Sequence, residues 1–518
     1  MYDLIIKNGF IIDGSGSEGY TSDLAIKDGK IVKIEKKIEE SAKSVIDATG
    51  LTVTPGFVDS HSHSDSQYLT FPDQKEKIEQ GITLSVGGQC GTSPAPIEAS
   101  KTVTNIGEFG TNHEIYKTMG TFLDTVRDLP LGANAATFVG HSALRKAVIG
   151  YGSEDPTPEQ MEKMKEYLID GIKHGAMGIS FGLIYSPSCY SKTEELIELA
   201  KCAASLGGMV SAHIRSEADA LIEAVAEFIE IVEKSGARGV ISHHKSSGVK
   251  NWGKVKESLK LISEARDRGV DIYCDVYPYI ASRTSITASF VPKELRDCDN
   301  ETLYKRLSDP EVRAKIKKNF LDKGKTDFSY VLVTDYPARP ECQGMRLNEI
   351  AEKFSKHPVD AALDLIIESK NSTGACYFTM CEEDVETVIE YPFAMICTDS
   401  GVAGKKTVFH PRLRASFPRA IGKYTRERGV VTLPEMIRKM TSLPAYVYGF
   451  DTKGYIKEGY DADICIFDYE RFIDRADYIN CTAKCDGLNY VIVGGEVAVI
   501  DGVHTGKRCG RLHLRNLK

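Results

Sequence analysis

A regular alternation of short apolar runs with longer amphipathic segments fills most of the chain and constrains its fold more than any other feature. The runs have the length of buried strands, and the segments between them have the spacing of helices that face a core. Examples of the runs lie at residues 137–139, 178–180, 209–212, 239–242 and 270–274, and examples of the helical segments at 191–206 and 219–235. Strands that alternate with helices form βαβ units around a parallel sheet. We therefore predict an α/β fold, a (β/α)8 TIM barrel over residues 57–445.

Both ends of the chain have a different texture, in which short β-like runs are separated by tight turns. Asp28-Gly29 separates two apolar runs near the N-terminus, and Gly494-Gly495 does the same near the C-terminus. Such pairs favour two-residue β-hairpins. Neither end is long enough for its own core, so we predict that residues 1–56 and 446–518 together form a small β-sandwich. A charge-rich stretch around 287–345 interrupts the alternation and is predicted to be an insertion or lid.

The overall composition excludes several classes of protein. Of the 518 residues, 42% are hydrophobic and 27% are charged, which is ordinary for a globular protein with a full core. No apolar stretch of about 18 residues occurs, so no membrane span is expected. The N-terminal sequence lacks the features of a signal peptide, so we expect a cytoplasmic protein. A net charge of −8 argues against nucleic acid as a partner, and the 13 cysteines, with no CxxC pair, are expected to be reduced thiols.

The most informative motif is a β-like run that ends in two histidines, His61 and His63, within the segment TPGFVDSHSH. Residues i and i+2 of a strand point to the same side, so both imidazoles can face one cation. The carboxyl end of a barrel strand is also where enzymes of this fold keep their chemistry. Taken alone, the pair fits equally well two surface histidines after a turn.

Several segments in order resemble those of a known family. TPGFVDSHSHSD resembles the first-strand signature of the amidohydrolase superfamily, and the others resemble the D-aminoacylase (N-acyl-D-amino-acid deacylase) family. These further segments are GGQCG at 87–91, VGHSALR at 139–145, SAHIRSE at 211–217, ISHHK at 241–245, CTDSG at 397–401 and HPR at 410–412. The similarity extends over nearly the whole chain, so the ordered set is more specific than any single motif.

The resemblance implies a zinc site, and the residue types agree with it because thiolate and imidazole both suit zinc. The implied ligands of one tightly held ion are Cys90, His213 and His243. The implied ligands of a second, weaker ion are His61, His63 and Asp399. Taken singly, a buried inert thiol and a core histidine are the simpler interpretations of Cys90 and His213.

One ligand is ambiguous, because His243 and His244 are neighbours in the chain. Adjacent strand residues face opposite ways, so only one of them can reach the site. The spacing of the family favours His243.

Asp399 ends an apolar run and resembles the catalytic aspartate of the family. A carboxylate there is costly unless it meets a cation or a donor. Near zinc it can accept a proton from water and pass it to the leaving nitrogen. The alternative is an aspartate that caps the next helix.

Four residues are predicted to bind the substrate: Lys245, Tyr277, Arg283 and Arg412. Arg412 and Lys245 are the candidates for the substrate carboxylate, and a guanidinium suits that group because it offers two parallel hydrogen bonds. The alternative for Arg412 is a pair with a nearby acid. Arg283 stands where the family carries small residues, and it could bind an acidic side chain or point to solvent.

These features predict a metal-dependent hydrolase that cleaves the amide of a small N-acyl-D-amino acid to a D-amino acid and a carboxylate. The D-configuration comes from the resemblance alone. One rival is a cyclic amide hydrolase of the dihydroorotase or hydantoinase type, and another is an inactive scaffold that retains a metal. Related barrels carry a carboxylated lysine on the fourth strand, but residues 176–183 contain no lysine, in agreement with a cysteine-type site.

Overall fold

The computed structural model describes residues 1–97, 116–402 and 408–515, with strands and helices numbered in chain order. The first five strands are β1 (Tyr2–Ile11), β2 (Tyr20–Lys27), β3 (Lys30–Glu35), β4 (Ala42–Asp47) and β5 (Thr52–Pro55). Between β2 and β3, Asp28 and Gly29 have φ angles of +50° and +74°, the left-handed conformation of a tight hairpin. The hairpin predicted at this pair is therefore confirmed.

Strands and helices then alternate, as the apolar runs predict. The elements of this part are β6 (Phe57–Asp59), α1 (Lys75–Ile78), β7 (Ile82–Gly87), α2 (Met119–Val126), β8 (Asn134–Thr137), β9 (Val139–Gly140), α3 (His141–Val148), α4 (Pro158–Lys173), β10 (Gly178–Gly182), α5 (Thr193–Ser205), β11 (Met209–His213), α6 (Leu221–Ser235), β12 (Gly239–Ile241), α7 (Lys254–Asp267) and β13 (Ile272–Val276).

The helices form where an apolar stripe repeats at the helical spacing. In α6 the buried residues include Leu221, Val225, Phe228 and Val232, which lie on one face. The helix ends at Gly236, whose φ of +68° allows its N–H to reach the carbonyl of Val232. No helix among the described residues is both long enough and apolar enough to cross a membrane.

A separate unit follows β13. Its elements are β14 (Ser282–Ser285), α8 (Ile286–Phe290), α9 (Asn300–Ser308), α10 (Pro310–Asp322), β15 (Val331–Asp335), α11 (Leu347–Lys353), α12 (Pro358–Glu368) and β16 (Gly374–Tyr377). The strands β14 and β15 flank β16 in an antiparallel sheet. A core that includes Phe290, Phe320 and Phe328 belongs to this unit alone. The unit extends beyond the predicted 287–345 at both ends, because strands at its two borders pair with each other.

The remaining elements return first to the alternating part and then to the N-terminal strands. They are α13 (Glu382–Glu390), β17 (Ala394–Ile396), α14 (Arg412–Arg419), a π-helix (Ala420–Glu427), α15 (Leu433–Met440), α16 (Ser442–Tyr448), β18 (Ile464–Phe467), β19 (Leu488–Val493), β20 (Glu496–Ile500) and β21 (Val503–His504). Strand β18 pairs with β5, so both ends of the chain contribute to one nine-stranded mixed sheet.

The strands of the alternating part are parallel to one another. One sheet has the order β6-β7-β8, and the other has the order β9-β10-β11-β12-β13-β17. Only Phe138 separates β8 from β9, and a parallel bridge joins Ser62, after β6, to Ser400, after β17. Side chains such as Val58, Met209 and Met395 pack together from several of these strands. The fold is therefore α/β, and its parallel strands all end on the same side.

Candidate metal centre

The six residues predicted as metal ligands all lie at the carboxyl ends of the parallel strands. His61 and His63 follow β6, Cys90 follows β7, His213 ends β11, His243 follows β12 and Asp399 follows β17. Parallel strands bring these ends to one edge of the sheet, which is where α/β proteins bind their ligands. Residues more than 300 positions apart, such as His63 and Asp399, therefore come into contact.

Cys90, His213 and His243 form a buried group of three donors. Cys90 Sγ lies 3.3 Å from His243 Nε2 and 3.8 Å from His213 Nδ1. Zinc ligands at tetrahedral positions are about 3.3–3.8 Å apart when the bonds to nitrogen and sulfur are about 2.0–2.3 Å long. The three atoms therefore have the spacing of ligands around one zinc ion.

Cys90 also belongs to a second group of donors, together with His61, His63 and Asp399. His61 Nε2 lies 3.4 Å from Cys90 Sγ and 3.5 Å from Asp399 Oδ1. His63 Nε2 lies 3.1 Å from the same carboxylate oxygen. The His63 side chain is 28% exposed, so the second group is reachable from solvent. The thiol of Cys90 is the donor that the two groups share.

Three of these residues have a backbone conformation that non-glycine residues rarely adopt. The φ angles are +53° at Cys90, +37° at His243 and +46° at Asp399. Each such residue costs about 1–3 kcal/mol and persists only where its surroundings hold it. Here the N–H of His243 donates to Asp275 Oδ1 at 2.6 Å, and the N–H of Asp399 donates to the carbonyl of His61 at 2.9 Å. The strain is therefore concentrated at the donor cluster.

The surroundings favour the anionic forms of Cys90 and Asp399. Burial alone would raise the pKa of the Cys90 thiol, but the adjacent imidazoles of His61 and His243 lower it well below its usual range. Burial also opposes ionisation of Asp399, yet the guanidinium of Arg412 and the imidazole of His243 lower its pKa well below the usual range. A thiolate and a carboxylate are the forms that bind a cation.

The ambiguity between His243 and His244 is resolved by their contacts. His243 faces Cys90, whereas His244 turns away and its Nε2 contacts Ser258 Oγ at 2.8 Å. Burial, with the nearby ammonium of Lys245, lowers the pKa of His244 to about 4. His244 is therefore a neutral packed side chain, and His243 is the one that reaches the site.

Arg412 lies against the predicted catalytic aspartate. Its Nη1 is 2.7 Å from Asp399 Oδ2, and its guanidinium lies over the ring of Tyr277 at 4.7 Å from the ring centre. Within residues 1–97, 116–402 and 408–515, Arg412 Nε and Nη1 are buried without a hydrogen-bond partner, so the contact with Asp399 is a charge pair without directed geometry. The alternative expected for Arg412, an ion pair with a nearby acid, is therefore present, and the acid is the predicted catalytic Asp399.

Lys245 and Arg283 are the other two cations predicted to bind the substrate, and each contacts a neighbour of that pair. Lys245 donates to Glu217, and its Nζ lies 5.2 Å from the centre of the Tyr277 ring. Arg283, on β14, is buried, stacks on Phe409 at 3.8 Å and accepts a hydrogen bond from Arg412 through its carbonyl oxygen. The burial of Arg283 excludes the solvent-facing alternative, and the residue lies next to Arg412.

A fully buried ion pair below the site was missed by the sequence analysis. Lys77, on α1, donates to Asp59 Oδ2 at 2.8 Å, to Thr398 Oγ1 at 2.7 Å and to the carbonyl of Ser400 at 2.6 Å. Asp59 also accepts the N–H of Thr398 at 2.8 Å. An acid on the apolar β6 was a signal for Asp59, but Lys77 gave none because its partners are distant in sequence. The pair ties the strand before His61 to the loop that carries Asp399.

Two further acids behind the histidines were also missed. Asp275 accepts the N–H of His243, and its Oδ2 lies 3.7 Å from His61 Nδ1. Glu217 Oε1 lies 2.8 Å from His243 Nδ1. Glu217 was visible in the segment SAHIRSE, four residues after His213, but nothing in the sequence showed that its side chain turns back toward the histidines.

Comparison with known proteins identifies the family. The model of the amidohydrolase family matches residues 44–306 and 398–499. A D-aminoacylase from Alcaligenes xylosoxydans xylosoxydans is 32% identical over 516 residues, which cover 99% of this chain and 98% of the relative.

Solved structures give the same result. One is an N-acyl-D-glutamate deacylase from Bordetella bronchiseptica, complexed with zinc and a phosphonate inhibitor that mimics the tetrahedral intermediate. It is 31% identical to this chain, with a TM-score of 0.86, and the match covers 99% of this chain and 100% of that one. A D-aminoacylase with a binuclear metal centre is 30% identical, with a TM-score of 0.86 and complete coverage of both chains. As the motifs predicted, the chain belongs to the amidohydrolase family and is similar over its whole length to D-aminoacylases.

Proposed function

We propose that the protein is a zinc-dependent deacylase that hydrolyses the amide of N-acyl-D-amino acids to a D-amino acid and a carboxylate. The observation that carries the proposal is the position of Cys90, whose sulfur is shared by two groups of donors at the strand ends. The relatives named D-aminoacylase and N-acyl-D-glutamate deacylase, similar over 99% of the chain, support the substrate class.

The donor set fits one tightly held zinc ion and a second, weaker site. Cys90, His213 and His243 would hold the first ion, and His61, His63 and Asp399 would complete the second with the shared thiolate. When bound, zinc acts as a Lewis acid that polarises a carbonyl and lowers the pKa of water to about 7. The D-aminoacylase with a binuclear metal centre supports the count of two.

Asp399 would move the proton. Its carboxylate lies at the edge of the donor cluster, where it can accept a proton from the attacking water and return it to the leaving nitrogen. The ion pair with Arg412 keeps the group deprotonated before the reaction. The strained backbone at Asp399 supports this role over that of a helix cap, since helix α14 begins only at Arg412.

Arg412, Lys245 and Tyr277 would orient the substrate carboxylate. Arg412 is a buried guanidinium beside Asp399, and Tyr277 lies beneath both cations. Lys245 donates to Glu217, whereas Arg412 Nε and Nη1 have no hydrogen-bond partner among the described residues, so Arg412 is the stronger of the two candidates. Arg283 is adjacent to Arg412 and would bind an acidic side chain of the substrate.

We infer that the nine parallel strand segments close into a (β/α)8 barrel spanning residues 57–445, in which β8 and β9 together form one of the eight strands. The bridge between Ser62 and Ser400 and the short link between β8 and β9 support closure. We also infer that residues 1–56 and 446–518 form one β-sandwich, supported by a core that includes Leu4, Ile26 and Ile464. The unit from β14 to β16, which contains the predicted 287–345, is proposed as an insertion over the carboxyl ends of the strands, since Arg283 on its first strand contacts Arg412.

The function is tested with a panel of N-acetyl-D- and N-acetyl-L-amino acids, with dihydroorotate and hydantoin as cyclic controls. We expect the zinc protein to release amino acid from linear D-substrates only. Hydrolysis of the cyclic amides alone would replace the proposal with the cyclic amide hydrolase. That rival is disfavoured because β10 carries no lysine.

The metal is tested in the same preparation by elemental analysis. We expect ~1 tightly held zinc ion per chain, with side-chain bonds of ~2.0–2.3 Å. Cys90→Ala should lose both metal and turnover, while Cys202→Ala, on helix α5 away from the donors, should lose neither. Turnover by protein that holds no transition metal would end the zinc proposal.

A further inference from the structure

One carboxylate lies behind both histidines of the donor group formed by Cys90, His213 and His243, called the Cys90 group below. Glu217 Oε1 is 2.8 Å from His243 Nδ1, and Glu217 Oε2 is 3.8 Å from His213 Nε2. Glu217 follows β11, and its side chain is only 16% exposed. The two oxygens of one group therefore face two different imidazoles.

Each imidazole presents its other nitrogen to Cys90. His243 uses Nε2, at 3.3 Å from Sγ, and His213 uses Nδ1, at 3.8 Å. A neutral imidazole that binds a metal through one nitrogen carries its proton on the other, and an acceptor there fixes the tautomer and the ring orientation. Glu217 lies on this outer side of both rings, at hydrogen-bond distance from His243 only, since His213 Nε2 has no hydrogen-bond partner among the described residues.

Lys245 also contacts His243 Nδ1, but an ammonium cannot accept a proton from that nitrogen. Its Nζ is also 2.8 Å from His243 Nδ1. An ammonium can only donate, and a protonated Nδ1 can also only donate, so no hydrogen bond joins them while Nε2 keeps its lone pair. With a metal on Nε2, the acceptor within reach of His243 Nδ1 is Glu217 Oε1, which also accepts from Lys245.

We propose that Glu217 is a positioning residue that holds His243 in the tautomer that offers a lone pair to a metal, with a weaker, purely electrostatic attraction on the outer side of His213. The inference rests on the proposed function because it takes the Cys90 group as a zinc site. A carboxylate behind a metal-binding histidine is a general device for fixing its orientation and raising ligand basicity.

The test is the zinc affinity of metal-free protein, measured by competition with a chromophoric chelator. Glu217→Ala should bind zinc about 10–100-fold more weakly, the usual effect of losing such a partner. Glu217→Gln keeps an oxygen acceptor without the charge, and we expect a smaller loss. Glu227→Ala is the matched control, because Glu227 forms an ion pair with Arg215 nearby and contacts neither histidine of the group. This control should keep the affinity of the natural chain.

A loss of folding or an unpaired ammonium could mimic this result, so two further measurements separate them. Thermal unfolding of each metal-free variant reports whether the fold survives. Lys245→Met should keep its zinc affinity, and the double variant Glu217→Ala with Lys245→Met should bind as weakly as Glu217→Ala. If the double variant regained the natural affinity, repulsion by Lys245 would explain the loss and the inference would fail.

Other outcomes overturn the inference directly. A zinc affinity of Glu217→Ala within twofold of the natural chain would show that the carboxylate positions nothing. If Cys90→Ala bound zinc as tightly as the natural chain, both this inference and the proposed zinc site would be wrong. Natural protein that binds zinc through Cys90 but hydrolyses no N-acyl-D-amino acid would remove the proposed function while the role of Glu217 would still be decided by its affinity.

Discussion

Two buried ion pairs lie close together where β6 meets the loop after β17, and they differ in how completely they are satisfied. In the pair of Asp59 and Lys77, the ammonium donates to three oxygens within 2.8 Å, and both residues are fully buried. In the pair of Asp399 and Arg412, the charges are 2.7 Å apart. Yet Arg412 Nε and Nη1 find no hydrogen-bond partner within the described ranges.

The difference separates a structural pair from one suited to bind a ligand. A buried network in which every donor has an acceptor is rigid and offers nothing to a ligand. A buried guanidinium with unused donors beside a strained aspartate has lost solvation without full compensation. The first pair should therefore govern stability and the second should govern chemistry. The two pairs meet in the chain, because Asp399 lies between Thr398 and Ser400, which both accept from Lys77.

Asp399→Asn should give the largest effect on turnover. The substitution keeps the shape of the side chain and removes its basicity, so we expect kcat to fall ~10²–10⁴-fold, the usual contribution of a general base. Substrate binding should change little, and the free energy of unfolding should fall less than in Lys77→Met, because asparagine still offers Arg412 an oxygen acceptor. Steady-state kinetics together with chemical unfolding of the same preparation measure both. Near-normal turnover would make Asp399 a structural residue like Asp59.

Lys77→Met should give the largest effect on stability. Removing one partner of a buried pair leaves an uncompensated charge and costs about 3–5 kcal/mol of unfolding free energy. Lys75→Met, at an exposed position of the same helix, is the matched control and should be nearly neutral. Adding Asp59→Asn to Lys77→Met should recover part of the loss. If urea unfolding shows no difference between the two lysine variants, the contrast between the ion pairs is wrong.

Arg412→Met should raise KM steeply for every substrate that has an α-carboxylate. Truncating one partner of a buried charged contact costs about 2–5 kcal/mol, so the rise should be of the order of 10²-fold or more. The amide of the same N-acetyl-D-amino acid lacks the carboxylate and serves as the control. For this neutral analogue the natural chain and the variant should differ far less. An equal loss for both substrates would show that Arg412 acts only on Asp399.

The architecture could be predicted from the sequence to a useful level because its signals are local. The alternation of apolar runs with helical segments identified the α/β class, and Asp28-Gly29 identified a hairpin. The limits of the unit after β13 could not be predicted. Its border strands, β14 and β16, find each other across more than 80 residues, and no local pattern records that pairing.

The donors of the site could be predicted because each ends a strand within a recognisable segment. The groups that support them could not, because their partners are distant in sequence. Lys77 meets Thr398 across 321 positions, and Asp275 meets His243 across 32. The local sequence around a charged residue on a short helix or at a strand end does not show which distant group will be its hydrogen-bond partner. The choice between His243 and His244 likewise needed the actual backbone, which is left-handed at His243.

Arg283 sharpens the comparison at the smallest scale, because its effect should appear with one class of substrate only. Arg283→Ser should lower kcat/KM about 10–100-fold for N-acetyl-D-glutamate or N-acetyl-D-aspartate, the value of a hydrogen bond to a charged group. N-acetyl-D-leucine, which has no second carboxylate, should be spared. Arg283→Met is the companion variant, since it keeps most of the volume stacked on Phe409 and removes only the charge. If both variants lose the acidic and the neutral substrate equally, Arg283 supports Arg412 through packing and belongs with Lys77 among the structural cations. If neither substrate is affected, the preference for an acidic side chain is absent. The contrast between the Asp399–Arg412 pair and the Asp59–Lys77 pair then depends on the Arg412 variant alone.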